Sequence, residues 1–263
     1  MKRVDLQKIE NSVKIGEECP IFEPNIKENC IFYEDGQPIG FFMRRMPEKM
    51  CKLADLADKE FNSKRVPKSK LTRRTGDGLD QERGVYKYKN EVEQESCIIG
   101  SIPPKPHMKR PYASMSSVHQ VKSAQTFIKA MLLLAKESEQ LIAQIMPDQY
   151  QRQKELFNQV PDEWKFGSLF TSSISNYNIS APFHRDTKNI KNTVNVIITK
   201  RRNSKGGNLH IPDYGATIDQ CDNSILVYPA WRNVHGVTPI FPTHSDGYRN
   251  SLVFYPLKAF VNK

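Results

Sequence analysis

Nowhere does the 263-residue chain hold an apolar run approaching the ~20 residues of a membrane span, and Met1-Lys2-Arg3-Val4-Asp5 enters charged residues at once, without the apolar stretch of a secretory signal. A soluble protein that is not exported is expected. Cysteine is sparse. Its five residues, Cys19, Cys30, Cys51, Cys97 and Cys221, are an odd, scattered set with no C-x-x-C pair, which argues against a disulfide framework and a cysteine-rich zinc site. They read as reduced thiols of a cytosol-like compartment. Internal repeats and low-complexity tracts are also missing, so solenoid and propeller architectures have no support.

What is present suits an ordinary globular protein. With 38% hydrophobic and 26% charged residues there is enough apolar material for a sizeable core, in one large domain or two small ones. Lys and Arg total 39 against 29 Asp and Glu, a net charge of +10. An excess of that size is a usable footprint for a polyanion, because each phosphate neutralised by a cation releases condensed counterions. The excess is uneven: positions 44–74 carry eleven basic and four acidic residues, and smaller clusters sit at 105–110 and 200–205.

Periodicity sets the architecture. Cys30-Ile31-Phe32-Tyr33 and Ile39-Gly40-Phe41-Phe42 flank Asp35-Gly36, a hairpin signal. Helical spacing of apolar residues runs over 50–61 and, most clearly, over 118–146, where Pro147 is expected to stop the helix. Between them, 64–111 reads as long loops with isolated strands. From Trp164 onward come short β-type runs at 168–174, 193–199, 208–211, 224–228 and 249–255. Many short strands so spaced suggest a sandwich or jelly roll. The expected fold is α+β: a mixed helical part, 1–160, packs on one face of a β-core, 161–263, in one integrated domain.

Pro182-Phe183-His184-Arg185-Asp186 sets an imidazole and a carboxylate two residues apart, on one side of an extended backbone. A second imidazole, His235, follows 49 residues after Asp186. Two imidazoles and one carboxylate on a face of an octahedral ion leave three positions open, the arrangement of non-haem Fe(II) oxygenases, and suit a bidentate 2-oxo acid plus O2. Arg249 heads a strand on which Ser251, Val253 and Tyr255 share its face. Its guanidinium offers the two-pronged contact that the distal carboxylate of 2-oxoglutarate needs, with Ser251 adding a hydroxyl. The remaining histidines, His107, His119, His210 and His244, lack partner spacing and read as ordinary polar residues.

Across 166–257 the sequence resembles the TET/JBP family of Fe(II)- and 2-oxoglutarate-dependent oxygenases, which oxidise the 5-methyl group of pyrimidines in DNA. The pieces that carry the resemblance are Asn178, His184-Arg185-Asp186-Thr187-Lys188-Asn189, Gly206-Gly207-Asn208-Leu209, His235-Gly236-Val237 and Arg249-x-Ser251-Leu252-Val253-Phe254-Tyr255. The resemblance implies a double-stranded β-helix core, iron on His184, Asp186 and His235, and Arg249 on the C5 carboxylate of 2-oxoglutarate. It further implies Asn178 on the cosubstrate side, Asn189 on the edge of a flipped base and Tyr255 stacked upon it.

Members that act on 5-methylcytosine commonly carry a histidine two residues past that tyrosine, where this chain has Leu257. The chain is most similar to compact, phage-like members. The expected partner is double-stranded DNA, with Arg201, Arg202 and Lys205 on phosphates. The expected product is 5-hydroxymethylcytosine, with 5-hydroxymethyluracil from thymine as the alternative. An N-alkylated base or a protein side chain as substrate, and a DNA-binding module with a vestigial metal site, are rival readings. A monomer in the cytoplasm, or in the nucleus of a eukaryote, is expected.

Overall fold

The Asp35-Gly36 turn takes positive φ at both residues, 49° and 75°, as two-residue hairpins require, and joins the predicted strand pair. A computed structural model describes residues 1–70, 94–106 and 109–261, with the backbone of two short strands at 79–80 and 85–86. In chain order the elements are β1 (Lys2–Asp5), β2 (Cys30–Glu34), β3 (Gln37–Met43), α1 (Glu48–Asn62), β4 (Ser69–Lys70), β5 (Leu79–Asp80), β6 (Val85–Tyr86), β7 (Glu95–Ile102) and β8 (Ser114–Met115). Two helices follow, α2 (Gln125–Ile145) and α3 (Pro147–Phe157). The remaining strands are β9 (Ser172–Tyr177), β10 (Ala181–His184), β11 (Asn195–Arg202), β12 (Ser204–Gly206), β13 (Leu209–Ile211), β14 (Ala216–Ile218), β15 (Ser224–Tyr228), β16 (His235–Val237), β17 (Ile240–Pro242) and β18 (Tyr248–Tyr255). Part of the middle stretch read as loops, including His107, lies outside the described residues.

Two sheets form a jelly roll, with the strand pairs β12-β17 and β5-β6 outside them. The major sheet runs β1-β2-β3-β15-β11-β18-β9-β7-β4, and the minor sheet runs β10-β16-β13-β14. Alternation along β18 shows how the layers divide: Leu252 and Phe254 join the core beneath the helices, while Arg249, Ser251, Val253 and Tyr255 face a cavity on the opposite side. Phe127, Met131 and Leu134 of α2 and Phe61 of α1 fill the same core, each contributing about 1.5–3 kcal/mol by burial.

Two expectations need correction. The β-core is not confined to 161–263: β3 pairs with β15 and β7 with β9, so strands from the first 102 residues complete the major sheet and cover edges that would otherwise stand open. Pro147 does stop α2, as expected, and it also opens the next helix. It occupies the first turn of α3, where its fixed φ and missing N–H cost nothing, so α2 and α3 follow with only Met146 between them. The strand expected at 168–174 begins instead at Ser172, because the buried Glu139 carboxylate of α2 takes the backbone N–H groups of Ser168 and Leu169 and holds them in a loop.

Candidate active site

Between the two sheets lies a cavity of about 560 Å³. The major sheet lines it with Ile174, Asn176, Ile197 and Val253, and the minor sheet with Leu209 and Val237. Into this largely apolar space project His184, Asp186, His235 and Arg249.

His184 ends β10 and His235 opens the neighbouring β16, so pairing of the two strands sets the imidazoles opposite one another with ring centroids 4.4 Å apart. Asp186 lies just beyond β10. The chain turns there rather than staying extended: the Asp186 N–H donates to Ala230 O, and its carbonyl accepts from Asn189 N at 2.9 Å. The turn still brings a carboxylate oxygen to 3.5 Å from His184 Nε2, and one ligand atom from each of the three residues lies within 4.8 Å of the others. This is the one such cluster among the described residues.

Backbone carbonyls dictate which ring nitrogen is available. Nδ1 of His184 faces Pro182 O at 2.7 Å and Nδ1 of His235 faces Asn233 O at 3.1 Å. A carbonyl can only accept, so each Nδ1 carries the proton and each Nε2 presents its lone pair. Burial, reinforced by the neighbouring His184, lowers the His235 pKa to about 4, so this imidazole is neutral at neutral pH, the form a metal ion requires. The carboxylate is oriented as well. Asn195 Nδ2 donates to Asp186 Oδ2 at 2.9 Å, and Asn189 Nδ2 donates to Asn195 Oδ1 at the same distance.

Arg249 lines the same cavity, 1% exposed. It has no carboxylate partner among the described residues. Nη2 donates to Gln220 Oε1, Nε is sealed with no partner among them, and Arg201 is its direct cross-strand neighbour on β11. Burial, with Arg201 adding repulsion, lowers its pKa to about 9. A buried cation set beside a second cation is costly until an anion reaches it. Gly207 makes the space: with φ 67°, it leaves a position where a Cβ would come within 2.3 Å of Arg249 Cδ.

The other predicted residues divide. Ser251, Asn189 and Tyr255 line the cavity, and burial raises the Tyr255 pKa well above its ordinary value. Asn178 does not line it. At φ 53° its Oδ1 and its N–H bracket the N–H and carbonyl of Arg249, so it acts on the backbone of that residue rather than on a cosubstrate. Arg201 is withdrawn from the expected phosphate contacts, because its guanidinium is spent on the carbonyls of Ser204, Gly206 and Gln220, clamping the loops around Arg249.

Arg202 pairs with Asp246 at 3.0 Å, whereas Lys205 is exposed on β12, which pairs with β17, and does not line the cavity. Lys200 is buried between Asp55 and Asp222. In the basic stretch from position 44, Arg44, Arg45, Lys49, Arg65 and Lys68 are all in ion pairs. At the cavity instead stand Lys105, Arg185 and Lys188, with no ion pair among the described residues.

Sequence reasoning missed Asn195 and Gln220. Asn195 left a signal, a polar residue on the same face of its strand as Ile197; Gln220 sits in a loop and left none. His210, expected to be an ordinary polar residue without a metal partner, is a buried core histidine, stacked on Phe22 at 3.7 Å and bonded to Thr217, with its pKa lowered to about 4 by burial.

Comparison with known proteins matches residues 104–258 to the Tet_JBP model, described as the oxygenase domain of the 2OGFeDO superfamily. No curated protein sequence matches the chain. Among solved structures, NgTET1 in complex with 5mC DNA superposes with a TM-score of 0.60 over 95% of this chain and 86% of that one, at 13% identity. A 2OG-Fe(II) oxygenase family protein from Burkholderia pseudomallei gives 0.44 over 82% and 84%, at 11% identity. A full-length Neurospora crassa protein in complex with alpha-KG gives 0.44 over 83% and 75%, at 13% identity.

Proposed function

The chain belongs to the Tet_JBP oxygenase family of the 2OGFeDO superfamily, and from that premise we propose that it hydroxylates the 5-methyl group of 5-methylcytosine in DNA. Its class is that of an Fe(II)- and 2-oxoglutarate-dependent dioxygenase, consuming O2. One observation carries the site assignment: three convergent metal-type ligands and a buried guanidinium with no anionic partner among the described residues line a single cavity.

The residues suit both groups. His184, Asp186 and His235 would hold iron, and Arg249, with Ser251, would hold the distal carboxylate of 2-oxoglutarate. Bound together, iron and 2-oxoglutarate supply the activation of O2 that breaks a methyl C–H bond. The protein's part is to orient and exclude. Asn195 fixes the Asp186 carboxylate, the two carbonyls fix the imidazoles, and Ile174, Ile197, Val237 and Val253 keep the space dry. The methyl of a stacked base cannot reach this interior, so the nucleotide must swing out of the duplex, with Arg185, Lys188 and Lys105 meeting its backbone and Tyr255 its ring. That NgTET1 was solved with 5mC DNA supports DNA as the substrate.

The amide chain favours cytosine. A carboxylate only accepts, so Asn195 turns its NH2 to Asp186 and its oxygen to Asn189, which must answer with its own NH2. Asn189 Oδ1 is left with no protein donor among the described residues, available to the amino group of cytosine, where thymine offers a carbonyl. Leu257, which lines the cavity in place of a polar residue, favours thymine. Mass spectrometry of nucleosides after incubation with 5-methylcytosine DNA and with unmodified DNA, with and without 2-oxoglutarate, decides. The expected result is 5-hydroxymethylcytosine dependent on 2-oxoglutarate; an excess of 5-hydroxymethyluracil would overturn the cytosine assignment.

Gly207→Ala tests the cosubstrate end. Strain at positive φ costs about 1–3 kcal/mol, and the added methyl has nowhere to go but into Arg249, so 2-oxoglutarate affinity should fall about tenfold or more while Fe(II) affinity holds. Isothermal titration with each ligand separates the two effects.

A further inference from the structure

Beside the active-site cavity, and sharing Ile98 and Ile102 of β7 as a wall, lies a second cavity of about 370 Å³. Its chemistry differs. Five serines, Ser69, Ser96, Ser114, Ser116 and Ser117, line it together with Lys68 and Arg110, and no carboxylate does so among the described residues.

Several of these groups are uncommitted. Ser116 is spent on Ile98 O and on the Val118 N–H, and Lys68 is paired with Glu95 at 3.0 Å. Arg110, by contrast, is exposed and has no ion pair among the described residues. Ser96 is only 4% exposed, yet its hydroxyl has no hydrogen-bond partner among the described residues and lines the cavity. Hydroxyl donors around a planar cation with no competing anion make a receptor for a tetrahedral oxyanion.

The position says which one. Lys105 and Arg110 are locked together as an isolated bridge by a pair of backbone hydrogen bonds, 2.6 and 3.2 Å, so the bridge sets Lys105 on the active-site cavity and Arg110 on the serine-lined one. A nucleotide swung into the first cavity pivots on its own backbone and leaves its flanking phosphates at the rim. Building on the DNA reading above, we propose that this serine-lined cavity binds a backbone phosphate of the strand whose base is being oxidised, with Arg110 as its cation and Ser96 as its buried donor. It anchors the strand without reading sequence.

The test is equilibrium DNA binding by fluorescence anisotropy across a salt series, on wild type, Arg110→Ala and Ser96→Ala. Thermal shift with inorganic phosphate and isothermal titration with 2-oxoglutarate run in parallel. Removing one phosphate contact should weaken binding about tenfold at low salt for Arg110→Ala and reduce the log–log salt slope by about one. Ser96→Ala should weaken binding without changing the slope, and both variants should keep wild-type 2-oxoglutarate affinity. Unchanged affinity and slope in Arg110→Ala, against a wild type that binds DNA, would overturn the phosphate site and leave the proposed function standing. Stabilisation by inorganic phosphate with DNA binding indifferent to both substitutions would overturn it in favour of a free-anion site. A wild type with no DNA affinity would remove this inference and the DNA reading together.

Discussion

Replacing Arg249 with leucine is expected to abolish 2-oxoglutarate binding while leaving the ligand-free protein as stable as wild type or more so. The two effects share one cause. The guanidinium is fully buried, repelled by Arg201 and answered only by the neutral Gln220, so without an anion it is a desolvated charge whose removal relieves the fold. With 2-oxoglutarate present the same group makes a charge-assisted contact in a water-poor cavity. Losing it leaves the carboxylate unpaired, at a cost of about 3–5 kcal/mol, or roughly two to four orders of magnitude in Kd. Isothermal titration and thermal unfolding with and without 2-oxoglutarate read both quantities. Arg249→Lys should recover only part of the affinity, since an ammonium keeps the charge and loses the fork. A leucine variant that still bound 2-oxoglutarate tightly would place the cosubstrate elsewhere.

Asp186→Ala should remove the metal. Two neutral imidazoles remain, the charge that attracts a divalent cation is gone, and Asn195 loses the acceptor that orders it and Asn189. Losing an outer contact to a ligand typically costs 10–100-fold in metal affinity, so loss of the ligand itself should cost at least ~10³ and take succinate production to background. DNA affinity is the control: Asp186 is not among the phosphate-facing cations, and binding should persist. Metal content after equilibration with Fe(II), or with Mn(II) as a redox-stable substitute, reports the first effect directly. Full iron occupancy in Asp186→Ala would refute the ligand assignment.

Much of this site was legible because its residues are specified by chemistry that little else satisfies. His184, Asp186 and His235 are separated by a turn and by 49 residues of strand and loop, yet their types are those of one ion's ligands. The face shared by Arg249, Ser251, Val253 and Tyr255 followed from the two-residue period of a strand, which neighbours cannot change without unpairing it. The hairpin at Asp35-Gly36 and the long α2 were legible for the same reason: local backbone preference and burial pattern agreed.

Where a residue's task depends on what faces it, the chain alone was silent or misleading. Arg201 and Arg202 are adjacent and chemically alike, but strand alternation turns the first toward buried carbonyls and leaves the second at the surface with Asp246. Asn178 and Asn195 differ in the same way: one grips the backbone of Arg249, 71 residues away, and the other the carboxylate of Asp186 across a turn. Residue types and their periods therefore determined the elements, the candidate iron ligands and the anion-seeking arginine, because these depend on local geometry and intrinsic chemistry. Only the packing of the two sheets decided which cations stay free for a partner, since a charge is spent or available according to what the fold places across from it.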